Sequence, residues 1–214
     1  MHIPKQFKQE DKAKIKTLIA DYPLAALIFK NANGLEANHI PLQLTQTNDQ
    51  EWTLIGHIAR GNPMWKNVED KADILVIFQG PQSYITPNWY PTKQEHKKVV
   101  PTWNYAAIHI HGALSFIHET QWKIDMLNSL TNQMEADQAK PWQLSDAPED
   151  YVEKQLNAIV GIEISVNQIE GKWKLSQNQP EQNRMGVIQG LSQSERLEAQ
   201  AMSKVMNQNQ DNDV

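Results

Sequence analysis

The run Ile74-Leu75-Val76-Ile77-Phe78 constrains the fold of this chain more than any other segment. Successive side chains of a strand point to opposite faces, so five consecutive apolar residues require cover on both faces. A continuous apolar run of this length is typical of a buried strand. We therefore expect these residues at the centre of a sheet or barrel.

Other segments show either the alternation of strands or the period of helices. Alternation predicts strands over residues 25–30, 37–44, 52–58 and 160–166 and one that includes Ile108 and Phe116. Helical spacing predicts helices over residues 9–21, 122–134 and 149–157, with a short helix over 63–71. A loop is expected from Gly80 to Pro101 and a turn at Glu170-Gly171. Six or seven strands without regular β-α alternation indicate a mainly β fold with flanking helices, an α+β barrel with helices packed outside.

We expect one domain over residues 1–191, with an N-terminal helix and a helical insertion. Ser192-Gln193-Ser194-Glu195 has the spacing of a capping box, which predicts a C-terminal helix over residues 192–206. The polar tail over residues 207–214 is expected to be disordered.

Composition narrows the possible chemistry. The 214 residues include no Cys, which removes disulfides and thiolate ligands and fits a reducing compartment. The chain shows no long apolar run, so we expect a cytoplasmic protein. A net charge of −5 disfavours a broad nucleic-acid surface. The lysine-rich segment around residues 93–98 is either a local basic patch or, as we favour, a solvated loop.

The segment Gly56-His57-Ile58-Ala59-Arg60-Gly61-Asn62-Pro63 is typical of an anion site. It joins a strand end to a helix start, where Asn62 can cap and Pro63 fits the first turn. Free N–H groups at such a turn attract negative charge, and Arg60 can add a bidentate contact to phosphate. The alternative is a surface arginine beside a well-capped helix.

Two further clusters are rich in aromatic and polar residues. The stretches from Phe78 to Tyr90 and from Pro101 to Tyr105 suit a planar heteroaromatic ligand, or else pack their own aromatic rings onto the core. In Gly171–Asn178, alternation places Lys172, Lys174 and Ser176 on one face, which could meet a phosphate or water.

The strand VPTWNYAAIHIHG carries His109 and His111 on its polar face. Two imidazoles at this spacing could share a metal ion, but no third ligand stands at a justified distance in the sequence. We therefore predict no metal site.

The ordered motifs GHIARGNPMW, FQGPQSYITPNWY, VPTWNYAAIHIHG and GKWKLSQN resemble the PaiB-like family of FMN-binding negative transcriptional regulators. The resemblance runs from His2 to about Leu191. It implies a split β-barrel related to the pyridoxamine phosphate oxidase-like flavoproteins, which are homodimers with FMN at the subunit interface.

The resemblance also implies which residues bind FMN. The ribityl phosphate and the ring edge would contact His57, Ile58, Ala59, Arg60 and Asn62. The isoalloxazine would lie beside Tyr84, Ile85, Thr86, Trp103 and Asn104. The pocket would be closed by Lys174, Ser176 and Gln177.

Three functions are compatible with these residues. The first is an FMN-binding homodimer with an indirect or weak role as a negative transcriptional regulator, because the chain has no convincing helix-turn-helix or basic recognition helix. The second is an FMN-dependent oxidoreductase acting on a small substrate whose identity no motif reveals. A haem-binding or haem-degrading relative, the third, rests on the histidines alone. No catalytic residue is predicted.

Overall fold

A computed structural model describes residues 1–46 and 51–209 of the chain. Its strands form a seven-stranded sheet in the order β1-β7-β4-β3-β2-β5-β6, and β7 also pairs with β6. This extra pairing closes six of the strands into the split barrel. The strands are β1 (Lys8–Gln9), β2 (Leu24–Asn31), β3 (Gly34–Gln46), β4 (Trp52–Ala59), β5 (Ala72–Ile85), β6 (Thr102–Ile117) and β7 (Ile159–Lys174).

Seven α-helices accompany the sheet among the described residues. None of them is long and apolar enough to cross a bilayer. They are α1 (Lys12–Asp21), α2 (Met64–Asn67), α3 (Lys93–His96), α4 (Thr120–Met134), α5 (Glu149–Asn157), α6 (Glu181–Ser192) and α7 (Leu197–Gln208). The mainly β fold with flanking helices is therefore confirmed.

The chain divides into two compact units. We call residues 16–46, 51–78 and 109–169 the central unit, and residues 1–15, 79–108 and 170–209 the terminal unit. Each unit has its own fully buried apolar side chains. Those of the central unit include Leu27, Leu42, Leu54, Val76 and Ile162, and those of the terminal unit include Ile85, Ala106, Val187, Leu191 and Met202.

The apolar run at residues 74–78 lies in β5, which stands between β2 and β6. Ile74, Val76 and Phe78 are buried, whereas Leu75 and Ile77 on the other face are only half-buried. The predicted position of this segment inside the sheet is confirmed. Its side chains are fully covered on one face of the sheet only.

Two strands are longer than their apolar patterns predict. β5 continues to Ile85, so the expected loop begins later. β7 passes through Glu170 and Gly171 without a turn, because β1 pairs there and Gln9 lies opposite Gly171. In β7, pairing with a distant strand overrides the local turn signal.

The C-terminal region contains two helices where one was expected. Ser192 ends α6, and α7 begins at Leu197, so the predicted capping box at Ser192 is wrong. α6 escaped prediction because Gly186 and Gly190 lower its helical propensity. A Cβ at Gly186 would collide with the backbone oxygen of Trp89, and a Cβ at Gly190 would collide with its indole, so the close approach of Trp89 explains both glycines. Of the expected disordered tail, residues 207 and 208 are helical, and residues 210–214 lie outside the described part of the chain.

Close approach of β6 to β7 gives the first testable prediction. A Cβ at Gly112 in β6 would collide with the backbone oxygen of Ser165 in β7, which cannot move aside as a side chain could. We expect Gly112→Ala to lower the free energy of unfolding by about 1–3 kcal/mol. Urea denaturation would measure the loss.

The matched control is Gly61→Ala, because a Cβ at Gly61 would meet nothing within 4 Å. Its effect should stay within about 0.5 kcal/mol. Equal stability of the two variants would contradict the close approach of the strands.

Candidate functional site

Arg60 is held in one orientation by backbone carbonyls at the end of α5 and the start of β7. Its Nε donates to Asn157 O at 2.6 Å, and its Nη2 donates to Ile159 O at 3.0 Å. These bonds use the side edge of the guanidinium, while Nη1 has no hydrogen-bond partner among the described residues. The end edge of a fixed guanidinium therefore remains for an anion.

The turn after Arg60 is fixed by its own side chains. Asn62 Oδ1 accepts a hydrogen bond from Met64 N at 2.9 Å, which confirms the predicted cap, and Asn62 Nδ2 donates to Asn38 at 3.3 Å. Trp65 Nε1 donates to Arg60 O at 2.9 Å. Because α2 has only four residues, its dipole adds little, and the anion argument depends on Arg60.

The three predicted residues before Arg60 differ in exposure. The side chain of Ile58 is buried in the core, and Ala59 is exposed at the end of β4. His57 is paired with Gly161 of β7, and a Cβ at Gly161 would collide with Trp122 of α4. Directly opposed residues share a face of the sheet, so His57 lies on the face covered by α4.

Burial determines the protonation of His57. Its Nδ1 is buried without a hydrogen-bond partner among the described residues. Burial lowers the pKa of this imidazole, since the charged form loses its hydration. His57 is therefore neutral at physiological pH.

In the terminal unit, Tyr84 and Trp103 form an exposed aromatic surface. The two side chains are 46% and 47% exposed, and their rings meet edge to face with centroids 6.1 Å apart. Trp103 Nε1 donates to Gln82 Oε1 at 2.9 Å, which fixes the indole. This surface offers a planar ligand both a ring face and an adjacent amide.

Lys174 adds a cation beside this aromatic surface. Its Nζ donates to Trp103 O at 2.7 Å and also to Thr102 Oγ1. Partial burial lowers the pKa of Lys174, and the charge of Lys172 lowers it further. The structure therefore brings Tyr84, Trp103 and Lys174 together, as expected from the resemblance.

Asn104 and Ser176 form a buried polar pair behind that surface. They exchange hydrogen bonds of 2.9 and 3.2 Å, and Asn104 Nδ2 also contacts Met206 Sδ of α7 at 3.5 Å. The predicted polar-face position of Ser176 is wrong. β7 ends at Lys174, and Ser176 has a positive φ of 63°, so the alternation stops and its side chain points inward.

The remaining predicted residues support the backbone of the terminal unit. Ile85 is fully buried. Thr86 Oγ1 accepts from Asn88 N at 3.2 Å and caps a short 3-10 turn. Gln177 bridges the end of β7, with 2.6 Å hydrogen bonds to Leu175 N and Trp173 O. Their side chains position the loops that carry the exposed groups.

Both predicted roles of the aromatic residues, contact with a planar ligand and packing onto the core, remain open to different members of the cluster. Trp89 packs against α6, and Tyr90 is buried, where desolvation raises its pKa against an opposing hydrogen bond with Ser176. Tyr84 and Trp103 instead remain exposed. The sequence does not distinguish the two pairs, since all four residues follow the same aromatic and proline-rich pattern.

Sequence reasoning missed Lys123 and Gln82. Lys123 lies on α4 and is buried, although a lysine in an amphipathic helix normally indicates its solvent face. Gln82 orients Trp103, and its place in the aromatic cluster was its one visible signal. His109 is half-buried and His111 exposed, and the described residues contain no cluster of three or more His, Cys, Asp or Glu suited to a metal ion.

Comparison with known proteins identifies the family. Residues 1–168 match the family model described as a putative FMN-binding domain. The chain belongs to this family. It is 32% identical over 206 residues to the Bacillus subtilis protein named protease synthase and sporulation protein PAI 2, covering 96% of each chain. The predicted PaiB-like membership is confirmed, and FMN is the cofactor that the family description names.

Solved structures confirm the barrel fold. A protein from Mycobacterium smegmatis, described as binding FAD and haem, superposes with a TM-score of 0.60 at 13% identity, covering 83% of this chain and 78% of that one. A flavocytochrome from Azotobacter vinelandii gives a TM-score of 0.59 at 11% identity, covering 86% and 78%. At these identities the likeness concerns the fold alone.

The lowered pKa of His57 makes stability depend on pH. The unfolded chain, with a histidine pKa of about 6.5, binds the proton more tightly than the folded protein. The free energy of unfolding should therefore be highest above pH 6.5 and fall as the pH drops towards the folded pKa. We expect His57→Gln to remove this part of the dependence, whose slope is at most about 1.4 kcal/mol per pH unit.

Urea denaturation between pH 5 and pH 8 would test the histidine. The informative quantity is the difference in slope between the wild type and His57→Gln. Identical slopes would show that His57 takes up a proton as easily in the folded protein as in the unfolded chain.

Proposed function

We propose that this protein is an FMN-binding homodimer with an indirect or weak role as a negative transcriptional regulator. The observation that carries the flavin site is Arg60, whose guanidinium is fixed by two carbonyls and offers its end edge to a phosphate. Two parallel hydrogen bonds to phosphate oxygens fit this edge. Asn62 stabilises the turn, while His57, Ile58 and Ala59 lead the strand into it.

For the isoalloxazine we propose the surface formed by Tyr84 and Trp103. Aromatic side chains of this exposure give a flat ligand a large contact area and lose little conformational entropy on binding. Lys174 supplies a positive charge at the edge of the surface, and Trp103 O and Thr102 keep it in place. Ile85, Thr86, Asn104, Ser176 and Gln177 act from behind as positioning residues.

A bound FMN would supply hydride and electron transfer, while the residues described here bind and orient it. The neutral imidazole of His57 lies under α4, where it holds no positive charge for the phosphate. We assign phosphate recognition to Arg60 and ring recognition to the aromatic surface.

The homodimer is proposed on the resemblance, which implies that FMN lies at a subunit interface. The adjacent exposed rings of Tyr84 and Trp103 support it, because contiguous apolar patches are typical of interaction surfaces. In such a dimer, one flavin is contacted by residues from both subunits.

The regulatory role is indirect, because the charge of the chain opposes a DNA surface. α7 is preceded by Arg196 and carries Lys204 and Glu198, which is no basic recognition helix. The name of the Bacillus subtilis relative refers to sporulation, a developmental process, which supports a role in control.

Arg60→Ala tests the phosphate assignment. We expect the Kd for FMN to rise about 10- to 100-fold, since a charge-assisted contact is lost. The Kd for riboflavin, which lacks the phosphate, should change far less. Flavin fluorescence titration measures both ligands.

Trp103→Ala is the matched comparison for Arg60→Ala. Loss of the ring contact should weaken FMN and riboflavin alike, by about three- to tenfold. Equal loss of both ligands in Arg60→Ala would mean that Arg60 only stabilises the fold. Failure of the wild type to bind FMN at all would overturn the flavin function.

A second candidate function is an FMN-dependent oxidoreductase. The exposure of Tyr84 and Trp103 favours it, because a ring bound at an open surface is accessible to a small substrate. The two functions differ in whether the bound flavin turns over.

Anaerobic mixing of the FMN-loaded protein with NADH or NADPH separates them. For the regulator we expect the flavin to stay oxidised, so that its absorbance at 450 nm does not fall on the timescale of seconds. We also expect a Kd for DNA no lower than about 1 μM at physiological salt. Rapid reduction followed by reoxidation with a small acceptor would instead establish the oxidoreductase.

A further inference from the structure

Two cationic side chains meet the same end of α5 in the central unit. Arg60 and Lys123 both donate to its last carbonyls, and neither has an ion-pair partner among the described residues. Lys123 lies on α4 with a side chain that is 1% exposed. A buried ammonium without a carboxylate is costly, so its place in the fold needs a reason.

The carbonyls of four consecutive residues share these donors. Lys123 Nζ donates to Leu156 O at 2.6 Å. Arg60 takes the next three carbonyls, through Nε to Asn157 at 2.6 Å, its backbone N to Ala158 at 2.8 Å and Nη2 to Ile159 at 3.0 Å. Lys123 therefore holds the start of the segment against which the guanidinium is oriented.

The charges at this point are unbalanced. The end of α5 offers partial negative charge from its carbonyls, about half an elementary charge in all. Two cationic side chains face it, and burial, followed by the positive charge of Arg60, lowers the pKa of Lys123. An anion that binds at Arg60 would relieve this excess.

We propose that Lys123 is a positioning residue for anion binding at Arg60. It fixes the carbonyl segment over residues 156–159 that orients the guanidinium, and its buried charge strengthens the attraction for a phosphate dianion. The inference rests on the proposed phosphate role of Arg60. Lys123 does not touch the ligand, since its amine is enclosed and bonded to Leu156 O.

Lys123→Met tests the inference, because methionine keeps much of the length of the side chain and loses its charge. We expect the Kd for FMN to rise about five- to tenfold and the Kd for riboflavin to stay within about twofold, as expected for a charge acting at short range through protein. A purely structural lysine would change both ligands equally. Inorganic phosphate, added as a competitor of FMN, should also lose affinity.

The matched control is Lys154→Met, which removes an exposed lysine from the last turn of α5. It should change the Kd for FMN by less than about twofold, because solvent screens its charge. If Lys123→Met does not fold, Lys123→Arg and Lys123→Gln replace it, and the ratio of FMN to riboflavin affinity should be kept by Arg and reduced by Gln.

The outcomes separate this inference from the proposed function. The role of Lys123 alone would be overturned if Arg60→Ala lowers the ratio of FMN to riboflavin affinity but Lys123→Met leaves it unchanged. Lys123→Gln takes the place of Lys123→Met in this comparison if the methionine variant does not fold. An unchanged ratio in Arg60→Ala would overturn the phosphate site itself. A ratio reduced in both, but not in Lys154→Met, supports the inference.

Discussion

The pairing of β7 with three other strands is the constraint on which the rest of the structure depends. β4 pairs with its first half, β1 with Gly171 and Lys172, and β6 closes the barrel against it. Hydrogen bonds on both edges keep this strand extended for 16 residues. Arg60 donates a hydrogen bond to the carbonyl of Ile159, the first residue of β7, and Lys174 is the last residue of β7. The strand therefore orients the proposed phosphate-binding arginine and carries the lysine proposed to lie beside the isoalloxazine.

Burial divides the residues expected to bind flavin into two roles. Arg60, Tyr84, Trp103 and Lys174 present groups that a ligand can reach. Others, such as Asn104 and Ser176, are enclosed and hydrogen-bonded to each other. A family motif contains both kinds, because an exposed contact keeps its geometry only when buried neighbours hold the backbone that carries it.

Several polar side chains are used mainly to fix backbone. Lys123 and Arg60 bond the end of α5, Gln177 bridges the end of β7, and Asn62 caps α2. Each bonds a carbonyl or N–H that the neighbouring helix or strand leaves without a partner. The same bonds restrict the loops next to the proposed site, which lowers the entropy lost when a ligand binds.

Local pattern determined much of this protein. Alternation and helical spacing identified most strands and helices, the run at residues 74–78 predicted the central strand, and Asn62-Pro63 predicted the capped turn before α2. Tertiary structure decided the continuation of β7 past Gly171, the inward side chain of Ser176 and the burial of Lys123. It also separated the exposed Trp103 from the packed Trp89. The physical reason is that periodicity reports which face a residue occupies, whereas burial depends on which distant segment packs against that face.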